Sequence, residues 1–330
     1  QNENVGGILG KNSSDKTLTM ENCHNTSTLN VKANWIGGLV GYDKGKLVMN
    51  NCTNKANVTG YQSTAGLIGG IEDDGCEITN CFNTGNVSTT GNSNGAGILA
   101  TVESQTGSSV WTIKNTVNTG NVSGASALGG FVGYLGNTSK AATINISDCV
   151  NKGNLASTGN DVGGFVGNTN NHGSTTQRHK YTNLYNYGNI SSSSTSATYL
   201  GGIVGKEYGF CDFTNCYNYG YVTETATSGD NVVGGIVGWI EDDASTVTKC
   251  INYGQISGRN NVGGIVGEFS SSSTLTITQC GNYGTLVAKN AGNTQIGGIM
   301  GRFNGSTIYM SKCFNGNGTD GTIAASGSKG

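Results

Sequence analysis

The sequence predicts an all-β fold: a right-handed parallel β-helix of about ten coils, with roughly 28–38 residues in each coil. Three observations predict it. A glycine-rich block recurs ten times, an alternating segment with a Cys-x-Asn pattern follows each copy, and the chain has 56 glycines and no proline. Each block is short and either alternates or is continuously apolar, as strands do. A stacked repeat of this length is typical of a solenoid.

The first repeated element is a six-residue block with the pattern apolar-Gly-Gly-apolar-apolar-Gly. Its copies begin at residues 5, 36, 64, 95, 128, 162, 200, 233, 262 and 296. Glycine within a strand indicates a bend or the close approach of another backbone. The two successive apolar residues, Ile8 and Leu9 in the first copy, conflict with strict alternation. The sequence therefore predicts either a strand covered on both faces or a hydrophobic stripe used for assembly.

The second repeated element ends in a cysteine column, followed two positions later by Asn in every copy. The cysteine column is Cys23, Cys52, Cys81, Thr116, Cys149, Leu184, Cys216, Cys250, Cys280 and Cys313. The asparagine column is Asn25, Asn54, Asn83, Asn118, Asn151, Asn186, Asn218, Asn252, Asn282 and Asn315. We expect the cysteines to be buried, unreactive core residues. We expect the asparagines to form a structural ladder at a turn, with amides bonded to the backbone and to each other.

The glycine block resembles the GLUG motif, a short repeat named for Gly-Leu-any-Gly. GGLVG at Gly37 and AGLIG at Ala65 are the closest copies, and the resemblance covers essentially residues 1–330. The GLUG family occurs in bacterial extracellular proteins, including adhesin-like chains and non-catalytic regions of certain immunoglobulin A peptidases. The resemblance implies an extracellular protein, secreted or attached to the bacterial cell surface, and it does not imply an enzyme. We expect residues 1–330 to form a single domain cropped from a longer protein.

The net charge and the histidines limit which partners and activities we expect. A net charge of −2 and a pI near 5.9 argue against nucleic acid or an anionic membrane as partner. No apolar run is long enough to insert in a membrane. The sequence predicts no catalytic residue and no enzyme. The longest insertion carries His172, Arg178, His179 and Lys180. It is predicted to be a solvated basic loop, with anion binding as the alternative.

Two acidic triplets are the candidate metal sites, and no other cofactor is predicted. They are Glu72, Asp73 and Asp74, and Glu241, Asp242 and Asp243. Carboxylates are the ligands that calcium prefers, so each triplet is a weak calcium candidate. The alternative is a charged turn that keeps the rod soluble.

The candidate binding residues are tyrosines close to the asparagine column. They are Tyr185, Tyr187, Tyr217, Tyr219, Tyr221, Tyr253 and Tyr283. If Asn faces inward, its neighbours face outward, and tyrosine suits exposed recognition of sugars or protein surfaces. The alternative is a self-stacked row that stabilises the turn. We therefore expect an adhesin-like protein that binds a glycan or a host or cell-surface protein. The alternatives are a passive stalk that presents another domain, and a polysaccharide lyase or hydrolase on a β-helix.

Overall fold

The chain winds into stacked coils of parallel strands. The structure, a computed structural model, describes residues 3–72, 75–103, 109–136, 143–170, 175–241, 243–289, 295–316 and 323–325. These residues contain strands and no helix. Each strand pairs in parallel with its equivalent one coil away, as Val40 does with Ile68. The parallel β-solenoid is therefore confirmed, and its right-handed sense stays a prediction.

Three sheets run along the rod. The first sheet has ten strands and thus about nine full turns between its ends: Asn4–Gly6, Trp35–Gly37, Ser63–Ala65, Gly95–Ala96, Leu128–Gly129, Asp161–Gly163, Thr198–Gly201, Asn231–Gly234, Asn261–Gly263 and Gln295–Gly297. The second sheet also has ten strands: Leu29–Asn30, Val58–Gly60, Val87–Thr89, Val122–Gly124, Leu155–Ser157, Ile190–Ser192, Val222–Glu224, Ile256–Gly258, Leu286–Ala288 and Ile323–Ala325.

The third sheet has 25 strands, because each coil crosses it in two or three segments. The strands that follow the glycine block are Leu9–Asn12, Val40–Asp43, Ile68–Ile71, Leu99–Glu103, Val132–Gly136, Val166–Asn170, Val204–Tyr208, Val237–Glu241, Val266–Thr278 and Met300–Ser311. The strands before or through the cysteine column are Leu18–Glu21, Leu47–Asn50, Cys76–Thr79, Val110–Lys114, Thr143–Asn151, His179–Asn186, Cys211–Asn218 and Ser245–Thr248. The strands at the asparagine column are His24–Asn25, Thr53–Asn54, Phe82–Asn83, Val117–Asn118, Ile251–Asn252, Gly281–Asn282 and Phe314–Asn315.

A left-handed residue makes the corner before the cysteine column in every coil. These residues have φ between 49° and 56°, and they are Asn22, Asn51, Asn80, Asn115, Asp148, Asn183, Asn215, Lys249, Gln279 and Lys312. Six of them are Asn, which tolerates this conformation better than most residues do. The corner breaks the alternation, so Asn50 and Asn51 both face solvent, while Met49 and Cys52 both face the core.

The two apolar residues of the glycine block both lie in the core in every coil but the first and the last, where Ile8 is exposed and Ile299 is half-buried. Leu39 and Val40 are fully buried in the large hydrophobic cluster that the third sheet encloses. The backbone bends between Gly37, where one strand ends, and Val40, where the next begins. A Cβ atom on Gly37 would lie 1.9 Å from the Val40 carbonyl oxygen, so the bend requires glycine. Neither the strand covered on both faces nor the assembly stripe is therefore present here.

The glycine bend divides the interior into two cores. The large core lies under the third sheet. A smaller core packs the first sheet against the second, through residues such as Leu200 and Val222. Between them, the second glycine of the block touches the asparagine column: a Cβ atom on Gly38 would lie 2.6 Å from Asn54 Cγ. Each coil is thus pinched where the glycine bend meets the asparagine.

Candidate functional site

The asparagine column forms a continuous buried ladder, as predicted. Asn186 Nδ2 donates to Asn218 Oδ1 at 2.8 Å, and Asn218 Nδ2 donates to Asn252 Oδ1 at 2.8 Å. Asn218 Nδ2 also donates to the Gly220 carbonyl at 2.9 Å. The same links join every pair of neighbours from Asn25 to Asn315. The ladder ties each coil to the next and holds the turn that carries the tyrosines.

The cysteine column is buried except at Cys23 and Cys313, and it takes part in hydrogen bonds between coils. The Cys81 backbone N–H donates to Thr116 Oγ1 at 3.3 Å, and the Thr116 N–H donates to Cys149 Sγ at 3.5 Å. The Thr116 hydroxyl and the Cys149 thiol each donate to the carbonyl two residues earlier. This shared bonding explains why threonine can replace cysteine. Burial raises the pKa of Cys149 to about 12, which fits the predicted unreactive thiol.

Exposed and half-buried tyrosines form two stacked rows beside the ladder. The long row, three positions after the cysteine column, joins Tyr187, Tyr219, Tyr253 and Tyr283. Its ring centroids are 4.7, 4.9 and 5.2 Å apart, and its planes lie within 6° of parallel. The short row stacks Tyr185 on Tyr217 at 5.1 Å. Tyr221 lies exposed beside them. The structure therefore brings together all seven tyrosines that the sequence singles out.

The stacking decides which part of each ring a partner can reach. Tyr219 and Tyr253 each have a tyrosine against both faces, so they present ring edges and hydroxyls to solvent. Burial, followed by the neighbouring tyrosines, raises the pKa of Tyr217 and Tyr219. The long row is thus a line of hydroxyls that repeats once in each of its four coils.

A pocket opens where the long row begins. It has a volume of about 470 Å³ and is lined by Val150, Lys152 and Tyr187. Asn151 pairs in register with Asn186, which places Lys152 below Tyr187 and Val150 below Tyr185. The pocket exists because the tyrosine column starts in one coil, while the preceding coil carries lysine at the same position.

The acidic triplets lie only partly within the described residues. Glu72 Oε2 accepts a hydrogen bond from Tyr42 Oη at 2.5 Å, and Glu241 Oε2 lies 3.8 Å from Lys206 Nζ. Of the remaining members of the two triplets, Asp243 is described, whereas Asp73, Asp74 and Asp242 lie outside the described residues. Within the described ranges, no three His, Cys, Asp or Glu side chains form a group that could hold a metal ion. The calcium sites stay predictions.

The predicted solvated basic loop is wrong for His179 and Lys180. His179 and Lys180 belong to a strand, and His179 is fully buried with its Nδ1 2.8 Å from Glu207 Oε1. Arg178 binds Asp212 through two nitrogens, at 2.7 and 2.8 Å. The loop prediction failed at His179 and Lys180 because they continue the alternating pattern of the third sheet, whereas Arg178 lies just before the strand. His172 is outside the described residues.

A buried polar cluster surrounds His179, and sequence reasoning missed it. Tyr181 Oη donates to Glu207 Oε2 at 2.7 Å, so one carboxylate joins the histidine and the tyrosine. All three side chains are fully buried in the large core. Burial, and then the Glu207 carboxylate, holds the pKa of Tyr181 well above its ordinary value. The signal was available: the aliphatic column reads Ile146 and then Tyr181.

A second aromatic cluster encloses Lys206 on the outer face of the glycine bend. Lys206 Nζ lies 4.5 Å from the ring centroids of Tyr208 and Trp239, and 5.2 Å from that of Tyr199. Tyr199 stacks on Trp239 at 4.5 Å. These cation–π contacts fill the space between the rings, so the cluster braces the bend. Sequence reasoning missed it because Trp239 comes from the next coil, where it pairs in register with Lys206.

A comparison of the chain with known protein families, curated proteins and solved structures finds no match. In the described part of the chain, no helix has the length and hydrophobicity that spanning a membrane requires.

Proposed function

We propose that this chain is a non-catalytic, adhesin-like repeat region of a bacterial surface or secreted protein, and that it binds an extended glycan along the tyrosine rows. The observation that carries the proposal is the long row: stacked tyrosines on four successive coils, three of them exposed and Tyr283 half-buried, with ring centroids 4.7 to 5.2 Å apart. The earlier coils carry Thr26, Thr84 and Thr119 in this column, so the fold does not need tyrosine there.

The geometry of the row favours a linear partner that lies parallel to the rod. Four rings span ~15 Å at the strand spacing, and each adds one hydroxyl and one apolar ring edge. Tyr187, Tyr219 and Tyr253 are 48%, 38% and 42% exposed. Tyrosine offers such mixed contacts at a small cost in side-chain entropy. A carbohydrate chain, with alternating hydroxyls and apolar C–H surfaces, matches this pattern.

The histidines support a non-catalytic role. His179 lies inside the core against Glu207, where a substrate cannot reach it. A general base must come within hydrogen-bond distance of the proton that it removes. His24 is exposed on a strand, where it pairs in register with Thr53. The resemblance to GLUG repeats points in the same direction and also supports an extracellular location.

A passive stalk is the second candidate, and the stacking itself favours it. Rings that cover each other's faces stabilise the turn without any ligand, since offset aromatic stacking contributes about 0.5–1.5 kcal/mol for each pair. The ladder of asparagines adds stiffness. On this interpretation the rod only positions another part of the protein.

The two candidates differ in a binding experiment. The chain and a variant with threonine at Tyr187, Tyr219, Tyr253 and Tyr283 are applied to an array of glycans and extracellular-matrix proteins. Tyr61→Thr is the control, because Tyr61 is exposed but lies outside the rows. Glycan binding that the fourfold variant loses and the control keeps supports the proposal. If the folded wild-type chain binds no glycan, the stalk is the better interpretation.

A further inference from the structure

The end of the long row differs from its middle. Tyr187 stacks on Tyr219 through one face of its ring, and its other face borders the pocket lined by Val150 and Lys152. Tyr187 is 48% exposed, more than Tyr219 or Tyr253, whose faces are both covered. At the other end, Tyr283 meets the edge of the Phe314 ring. The pocket is therefore where a partner can stack on a tyrosine face.

A cationic residue of the preceding coil lines the same pocket as this ring. Lys152 lines the pocket and its side chain is exposed. It forms no ion pair with a described residue. An ammonium group beside an aromatic face and a valine makes a site with three distinct parts: one positive charge, one flat apolar wall and one small apolar floor.

We propose that this pocket binds a sugar residue that carries a carboxylate, a hexuronate unit within an acidic polysaccharide. The inference rests on the proposed function of the tyrosine rows. The apolar face of the sugar ring lies against Tyr187, its edge lies over Val150, and its carboxylate accepts hydrogen bonds from Lys152 Nζ. The following residues of the polysaccharide continue along the hydroxyls of the long row. A neutral sugar would use the ring face but leave the lysine without a partner.

The energetics favour the acidic sugar over a neutral one. Hydrogen bonds to charged groups contribute more than those between neutral groups. The ring face contributes to both sugars equally, so the lysine decides between them. Because Lys152 is solvated, its contribution should also weaken as salt is added.

The chain itself offers a matched control. Lys55 occupies the same column as Lys152 in an earlier coil and is also exposed, but the next residue in its column is Thr84 rather than a tyrosine. Thr119 fills the column in the coil before Lys152, so the fold accepts threonine there. Lys152→Thr and Lys55→Thr remove the same charge from equivalent backbone positions.

The experiment is a calorimetric titration with tetragalacturonate and with neutral β-1,4-galactotetraose at two salt concentrations. We expect wild type and Lys55→Thr to bind the acidic probe equally. Lys152→Thr should bind it at least about tenfold more weakly, the scale of one hydrogen bond to a charged group. Tyr187→Thr should weaken both probes, whereas Lys152→Thr should leave the neutral probe unchanged.

The outcomes separate the two proposals. Equal affinity of wild type for the acidic and neutral probes, or acidic binding that Lys152→Thr leaves intact, overturns the carboxylate pocket and leaves the glycan-binding rows standing. An equal loss in Lys152→Thr and Lys55→Thr also overturns the pocket, because it would show a general charge effect. If wild type binds neither probe nor any glycan on the array, both proposals are overturned.

Discussion

Removing one carboxylate from the buried polar cluster should destabilise the coils around it far more than removing the whole cluster. Glu207 is fully buried and bonds both His179 Nδ1 at 2.8 Å and Tyr181 Oη at 2.7 Å. Glu207→Leu leaves a buried imidazole and a buried hydroxyl without their acceptor. Leucine itself fits the position, since Leu135 occupies the same column two coils earlier.

The expected change in the free energy of unfolding follows from the difference between breaking a buried polar cluster and replacing it entirely. Breaking a buried pair costs about 3–5 kcal/mol, whereas replacing it by well-packed apolar residues is often neutral or stabilises by about 1–4 kcal/mol. The triple variant Glu207→Leu, His179→Leu and Tyr181→Phe makes that replacement. Leu47 and Phe213 show that these columns accept both residues, and phenylalanine keeps the ring stack on Phe213.

The assay must report on individual coils, because repeat proteins often unfold in parts. Native-state hydrogen exchange of the amides in His179–Asn186 reports the free energy of local opening. The strand Val110–Lys114, two coils away, is the internal reference. We expect Glu207→Leu to lower protection near His179 and the triple variant to restore it. A single variant that costs less than about 1 kcal/mol, or a triple variant as unstable as the single, would refute the reasoning.

Three further outcomes are expected. Asn218→Ala removes three hydrogen bonds in the ladder and leaves buried partners unsatisfied. Its free energy of unfolding should therefore fall by about 2–4 kcal/mol, whereas that of the surface variant Tyr221→Thr should change little. Burial raises the pKa of Asp43 from 3.8 to about 6, so the folded state holds its proton more tightly than the unfolded state. The stability of the wild type should therefore fall as pH rises from about 4 to 6. Asp43→Asn should be up to about 3 kcal/mol more stable than wild type at pH 8 and equal to it at pH 3. A pH profile of stability that the substitution leaves unchanged would contradict this. Of the ten cysteines, only Cys23 and Cys313 are partly exposed, so a thiol reagent should modify these two first in the native protein, and rapid modification of all ten would contradict the buried column.

The sequence predicted the columns well, because each column repeats one local environment in every coil. The asparagine ladder is the clearest case. The side chain at this position must point inward, lie near a turn and form hydrogen bonds in both directions along the rod. Asn occupies the position in all ten copies. The outward tyrosines followed from the inward asparagines by alternation. Their parallel stacking, and the free face of Tyr187, needed the actual distances between coils.

The failures occurred where a residue's environment depends on a partner in another coil. His179 looked like part of an exposed insertion, yet it lies in the core because Glu207, on the next turn of the chain, supplies its acceptor. The sequence also did not show how two neighbouring apolar columns can both be buried. Strict alternation does not apply to Leu39 and Val40, because the backbone bends between them and the preceding strand.

By itself, the sequence determined that this protein is a parallel solenoid with buried cysteines, an asparagine ladder and an outward line of tyrosines. Repetition carries that information, since a residue type that recurs at one position in every coil reports a single shared environment. Only the tertiary structure decided that the interior is divided into two cores, that a histidine–glutamate contact lies in one of them, and that a pocket opens at Lys152. Those features depend on the distances between neighbouring backbones at the glycine bend, or on differences between neighbouring coils, and a repeated residue type specifies neither.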